Sequence, residues 1–131
     1  MLNIGDIIEK ICLDTEIAID FLKGEAAAVE KLRYYADREE ICINTLTLVQ
    51  LLSAIKKQEI ANTLINSVTI LDLDKKSANL AARLIQDSKE NGHNHKHMDS
   101  IITAAICISN NAFLFTKDRK KFEGMKGLKL V

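Results

Sequence analysis

Short apolar runs recur along this chain, and stretches of helix length separate them. The runs are Ile11-Cys12-Leu13, Ile41-Cys42-Ile43, Val68-Thr69-Ile70-Leu71, residues 112–116 and residues 128–131. Runs this short and this apolar suit strands buried on both faces. The stretches between them carry helical spacing. One passes through Phe21-Leu22 and stops at Gly24, and a second covers 26–37. Another spans 46–57 through Leu48, Leu51, Leu52 and Ile55, and a further helix runs from about 59 to 66. Asp74 can cap a helix whose inward face is Ala78, Ala81, Ala82 and Ile85, widened by Leu80 and Leu84, with Asn91-Gly92 as its stop. Asp99 opens a helix over 101–108 that is apolar nearly all round and is therefore expected at the centre, ending at Asn110-Asn111. Strands alternating with helices imply right-handed crossovers. The predicted fold class is α/β, a three-layer α/β/α sandwich around a mostly parallel sheet.

Nothing in the sequence breaks this pattern. No proline, repeat, low-complexity tract or linker interrupts the 131 residues, so a single domain over 1–131 is expected. Eighteen basic residues balance eighteen acidic ones, and any contact with nucleic acid must come from a local patch. The three cysteines, Cys12, Cys42 and Cys107, are scattered among apolar neighbours. They fit neither a disulfide framework nor a zinc site, and read as reduced core residues of a cytoplasmic protein. The first ten residues carry two acids and no long apolar run, unlike a signal peptide. The apolar stretch 101–108 is too short to span a bilayer.

In parallel sheets the functional crevice lies at the carboxyl ends of the strands. Asp14 and Asp118 each stand just past a strand run, so they merit joint attention. Each acid also has a local reading: Asp14 and Asp99 can cap the helices that follow, and Asp118 can be a turn residue.

Four stretches in order carry a resemblance to the PIN domain family, and within it to the small VapC-like toxins. Residues 12–24 (CLDTEIAIDFLKG) resemble the family's opening strand with its aspartate-threonine step. Residues 44–52 (NTLTLVQLL) resemble its second motif, where a glutamate normally stands at the position of Gln50. Asp99 with Ser100-Ile101-Ile102-Thr103-Ala104-Ala105 is similar to the central aspartate-led helix. Phe115-Thr116-Lys117-Asp118, followed by Phe122 and Gly127-Leu128-Lys129-Leu130, is similar to the closing segment.

The resemblance implies a divalent-metal-dependent endoribonuclease, the toxin of a type II toxin–antitoxin pair. Asp14, Asp99 and Asp118 are the implied catalytic and metal-binding residues, with Gln50 and Glu16 as further candidate ligands. Thr116, Lys117, Arg119 and Lys120 are the implied substrate contacts. RNA is the implied substrate, and a small antitoxin and a second copy of the chain are the implied partners, with no role for a membrane. Two unit charges ~4 Å apart repel by about 4 kcal/mol at an effective dielectric near 20, so clustered carboxylates call for a cation. All-oxygen ligands favour Mg²⁺ or Mn²⁺.

The departure at Gln50 supports a second reading, a catalytically weakened PIN-fold module that binds RNA or protein. Glu16 can compensate for the lost carboxylate, or can simply occupy the first turn of its helix. A phosphotransfer receiver would leave Asp99 and Asp118 unexplained, and Asp14-Thr15-Glu16 supplies the wrong second acid for a haloacid-dehalogenase-like phosphatase. The tract His93-Asn94-His95-Lys96-His97 lacks fixed ligand spacing and reads as a solvated loop, although short histidine tracts do bind metals. Lys117, Arg119, Lys120, Lys121, Lys126 and Lys129 form a basic run around Asp118 and Glu123 that can be surface or can steer a phosphate backbone. Tyr34 and Tyr35 are expected to pack a helix. Two tyrosines and no tryptophan do not make a stacking-dominated nucleic-acid binder.

Overall fold

The computed structural model describes residues 8–90 and 98–131. The expected stop at Asn91-Gly92 and the histidines His93, His95 and His97 lie outside the described residues. Elements follow in the order β1 (Lys10–Leu13), α1 (Thr15–Leu22), α2 (Ala26–Ala36), β2 (Glu40–Asn44), α3 (Thr45–Ala54), α4 (Gln58–Ile65) and β3 (Thr69–Leu71). Then come α5 (Lys75–Glu90), α6 (Met98–Ser109), β4 (Ala112–Phe115), a 3-10 turn (Arg119–Phe122) and β5 (Lys129–Leu130).

The strands form one sheet in the order β3-β2-β1-β4-β5, and every neighbouring pair is parallel. The period-2 alternation of each strand sorts its side chains between two helical layers. Ile11, Leu13, Ile43 and Phe115 face one layer, packing with Ile17 and Ala18 of α1, Leu32 of α2, Leu51 of α3 and Leu64 of α4. Cys12, Cys42, Leu71 and Leu114 face the other, against Ala104, Ile106 and Cys107 of α6 and Phe122 of the 3-10 turn. The predicted α/β/α sandwich is therefore observed, with both faces of the sheet covered.

Strand β1 lies in the middle because it is apolar at every position after Lys10, with Ile11, Cys12 and Leu13 at most 2% exposed. Helix α6 is the buried helix foreseen from its composition. Its residues Ile101, Thr103, Ala104, Ala105, Ile106 and Cys107 are all inside. The chain places β2 and β3 to one side of β1, then passes through α5 and α6 to place β4 on the other side. Brackets of helices on the two faces follow from that reversal. The gap it leaves lies at the carboxyl ends of β1 and β4.

The structure departs from expectation at several points. The inward face of α5 differs from the one foreseen at two positions: Ala81 is buried with Leu80, Leu84 and Ile85 packed beside it against Ile101 and Ala105, as expected, but Ala78 and Ala82 are exposed and Ser77 is buried. The cap sets the rotation. Asp74 Oδ1 accepts from the Ser77 amide at 2.9 Å, and Ser77 Oγ reaches back to the Asp74 amide at 2.9 Å. That reciprocal cap buries Ser77, and the larger leucines follow it inward in place of alanine methyls. Helix α3 ends at Ala54 rather than continuing to Lys57, because Ile55 is already extended at φ −92°, ψ 111°. Helix α6 begins at Met98, so Asp99 sits inside its first turn instead of capping it. Tyr35 packs edge-on to Phe115 at 6.0 Å between ring centres, while Tyr34, 57% exposed beneath the Arg38 guanidinium, meets Tyr35 edge-on at 5.4 Å.

All three cysteines are free and buried. Burial first, then the neighbouring Glu40, pushes the Cys42 thiol up to about 12. A hydrogen bond with Cys107, followed by burial, pushes Cys12 well above the ordinary thiol value. A thiol whose folded value is raised contributes stability that is full below its unfolded value and is lost as pH rises toward the folded one. The expected outcome is that Ellman's reagent at pH 8 labels none of the three in native protein and all three in urea. Unfolding free energy should fall progressively as pH is raised above about 9. Rapid native labelling of Cys12 or Cys42 would contradict the burial argument.

Candidate active site

Register makes the site. Leu13 of β1 pairs with Phe115 of β4, so the next residues, Asp14 and Thr116, leave the sheet side by side. The Asp14 amide donates to the Phe115 carbonyl at 2.9 Å, which extends the pairing one step past the strand. Asp14 then turns its side chain to two tasks. Oδ1 accepts from the Thr15 amide at 3.0 Å, capping α1, and Oδ2 accepts from the Thr116 hydroxyl at 2.7 Å. The buried Thr116 hydroxyl also accepts from the Asp118 amide at 3.1 Å. One hydroxyl thus ties Asp14 to the turn that carries Asp118.

Above this edge opens a pocket of about 370 Å³. Asp14, Glu16, Gln50, Asp99 and Lys121 all line it, although they come from the end of β1, α1, α3, α6 and the 3-10 turn. Glu16 and Asp99 each lie in the first turn of a helix, where the positive end of the dipole favours a carboxylate. Asp118 stands at the margin and is not among the lining residues. Its carboxylate turns toward Lys121 Nζ at 3.8 Å.

The predicted substrate contacts divide. Thr116 is a buried organiser of Asp14. Lys117 is committed to Asp20 at 2.7 Å, and that bond, with the Asp20 charge, raises the lysine above its ordinary value. Arg119 donates from Nη1 to the Val131 carbonyl at 2.8 Å, pinning the turn to the end of the chain. Lys120 is exposed. Of the basic run it is Lys121 that enters the pocket, a position that a charge count along the sequence does not distinguish from its neighbours.

A polar ladder beneath the pocket was not anticipated. Asn44, at the end of β2, is fully buried. Its Nδ2 donates to the Thr103 hydroxyl of α6 at 3.2 Å, and its Oδ1 accepts from the Thr47 amide at 2.9 Å, capping α3. The Thr47 and Thr15 hydroxyls meet at 2.9 Å, and Thr15 donates onward to Gln50 Oε1. The available signal was local: an asparagine closing an apolar strand just before helical spacing begins is a good cap.

Among the described residues no group of three or more His, Cys, Asp or Glu side chains is arranged to hold a metal ion. The structure brings Asp14 and Asp99 to one pocket and leaves Asp118 beside it. Among the described residues the pocket's charged donors are two aspartates and Glu16, all oxygen ligands, and their chemistry fits a hard divalent cation such as Mg²⁺ or Mn²⁺.

The PIN domain family matches residues 11–128. No curated protein sequence matches the chain. Among solved structures, VapBC2 from Rickettsia felis bound to a DNA fragment from their promoter superposes with a TM-score of 0.81 at 23% identity, over 93% of this chain and 97% of that one. DNA-bound VapBC from Salmonella typhimurium gives 0.81 at 20% identity, over 95% and 98%. A toxin–antitoxin complex from Klebsiella pneumoniae gives 0.74 at 21%, over 92% and 95%. Likeness at these identities establishes the shared fold.

Replacing Asn44 with alanine removes the α3 cap and leaves Thr103 and the Thr47 amide without their partner. A loss of about 1–3 kcal/mol in unfolding free energy is expected, read as a lower urea midpoint at unchanged slope. A midpoint within error of wild type would show that water replaces the ladder at no cost.

Proposed function

The chain belongs to the PIN domain family, and from that membership and its site we propose that it is a divalent-metal-dependent endoribonuclease, the toxin of a type II toxin–antitoxin pair. The observation that carries the proposal is the meeting of Asp14 and Asp99 in one pocket at the carboxyl edge of the sheet, although 85 residues separate them (99 − 14). Asp14 and Asp99 would hold Mg²⁺ or Mn²⁺, with Glu16 in the same pocket and Asp118 at its margin as the further acids of the set. Such an ion, when bound, polarises a phosphodiester and activates water for its hydrolysis.

The chain's own residues do the rest. Thr116 fixes the orientation of Asp14 and, through the Asp118 amide, the turn that presents Lys121. Lys121 supplies positive charge within the pocket for a phosphate, and the exposed Lys120 extends it along the surface. Lys117 and Arg119 hold the segment in place through Asp20 and Val131, and stand beside the path of an RNA backbone. Contacts of this kind read no sequence and weaken with salt.

One similar structure is a toxin–antitoxin complex by name and another belongs by name to the VapBC family of toxin–antitoxin systems, which supports a small antitoxin as this chain's partner, and a homodimer in the cytoplasm is the assembly proposed with it. Among the described residues no helix is long and apolar enough to cross a membrane. The neutral Gln50 and the unclustered Asp118 favour a second reading, a PIN fold whose catalysis is weak and whose role is to bind RNA or protein.

Cleavage of a mixed RNA pool with Mg²⁺ or Mn²⁺, against the same reaction in chelator, separates the two. Metal-dependent cleavage is expected, and Asp99→Asn should lower it by about a hundredfold or more, the scale of losing several kcal/mol of charge stabilisation. No metal-dependent cleavage of any RNA tested would move the assignment to the binding module. Co-expression with the product of an adjacent short reading frame should yield a stable complex whose formation suppresses cleavage. Recovery of the chain alone, with activity unchanged, would count against the antitoxin.

A further inference from the structure

Gln50 is a glutamine where the family carries a glutamate, and its hydrogen bonds say which end of the amide faces the pocket. An amide oxygen only accepts, so the Thr15 hydroxyl donates its single proton to Gln50 Oε1. Thr15 Oγ1 then has only lone pairs left for Thr47, and the Thr47 hydroxyl must be the donor in their 2.9 Å contact. The polarity of the whole chain is fixed, from Thr47 to Thr15 to Gln50. Its root does not move, because Thr47 is 1% exposed and its amide is bound by the buried Asn44.

With its oxygen tied back, Gln50 has an NH₂ group to offer, and among the described residues nothing accepts from it. We propose that Gln50 is a phosphate-contacting donor: Thr15 holds its amide oxygen, and its NH₂ group is presented to the pocket beside Asp14 and Asp99. The proposal rests on reading that pocket as a nuclease site, and it gives the position a different job from the one a glutamate would have. A carboxylate there would ligate a cation and repel a phosphate. The amide nitrogen has no lone pair free to ligate a metal, and its two N–H bonds suit the non-bridging oxygens of a phosphodiester. Lys121 lines the same pocket, so the RNA backbone meets one charged and one neutral donor there. Thr15 is the positioning residue, since its hydroxyl holds Gln50 while its amide holds Asp14 Oδ1.

Two binding measurements on intact protein decide the matter. Mn²⁺ is titrated directly, and a short labelled single-stranded RNA is bound in Ca²⁺, with gels confirming that the strand stays whole. Gln50→Ala should leave Mn²⁺ affinity within about twofold of wild type, because no ligand is lost. It should weaken RNA binding about tenfold, the effect of losing a hydrogen bond to a charged group. Gln50→Glu should tighten Mn²⁺ and weaken RNA. Thr15→Val should lose RNA affinity as Gln50→Ala does, and Thr15→Ser, which keeps the hydroxyl, should restore it. If Gln50→Ala weakens Mn²⁺ as much as Asp14→Asn, Gln50 is a ligand and the donor assignment is overturned, while the nuclease reading survives. Unchanged RNA binding in Gln50→Ala overturns it equally. Wild-type protein that binds neither Mn²⁺ nor RNA overturns the nuclease reading and this proposal with it.

Discussion

The parallel pairing of β1 with β4 is the constraint on which the rest of the molecule depends. Chain order runs outward from β1 to β2 and β3, then reverses to lay β4 on the other side. Loops leaving β1 and β4 therefore depart toward opposite faces and open a crevice between them. The Leu13–Phe115 register places Asp14 and Thr116 at its floor. A slip of one residue would turn every side chain of β4 to the other face. Phe115 would leave the layer of α1 to α4, Leu114 would leave α6, and Thr116 could no longer reach Asp14. Core packing and site geometry are thus specified by the same pairing.

Placing a pocket over the end of a buried sheet leaves polar backbone ends to satisfy, and beside the Asp14 carboxylate the structure does so with neutral side chains. Asn44, Thr47, Thr103 and Thr116 are all buried, and each has its hydrogen-bond partner. An unpaired polar group in such a place costs roughly 1–3 kcal/mol, so the ladder stands or falls together. It joins α6 to β2, α3 and α1 under the pocket floor. The pocket-facing residues Asp14, Gln50 and Asp99 are consequently carried on elements braced against one another, which is what a site requires of its scaffold.

Much of this was legible in the sequence, and what was missed has physical causes. The strands and most helices were readable because runs such as Ile41-Cys42-Ile43 are apolar throughout and buried on both faces. Asp14 was readable because it ends such a run. On α5 the sequence showed the Asp74 cap, Ala81, Ile85 and the two leucines, but Ala78 and Ala82 misled because they have the right spacing, whereas the bond that draws Ser77 inward is a contact between Asp74 and Ser77. The end of α3 was overshot because Ile55 continues the apolar pattern after the backbone has turned extended. Within the basic run, composition treats Lys117 and Lys121 alike. Only three-dimensional pairing reveals that Asp20 has already claimed the first. Asn44 is audible as a cap, but its bond to Thr103, 59 residues on, has no local trace.

The neutral residue at position 50 also bears on how much negative charge the pocket gathers. Carboxylates held together repel, by about 4 kcal/mol for two unit charges ~4 Å apart at an effective dielectric near 20. A glutamate at this position would add to a pocket that Asp14, Glu16 and Asp99 already line. It would leave the direction of the hydroxyl chain unchanged, since Thr15 could donate to it just as well, so the difference between the two residues is charge alone at that end. Glutamine keeps the Thr15 bond and removes one negative charge. For the metal site proposed above, a weaker hold on the ion would be the other side of the same exchange, because affinity at an oxygen site follows the number of charged ligands. In the proposed nuclease site, relief of repulsion and metal affinity thus pull in opposite directions at one side chain, and a glutamine there favours the first.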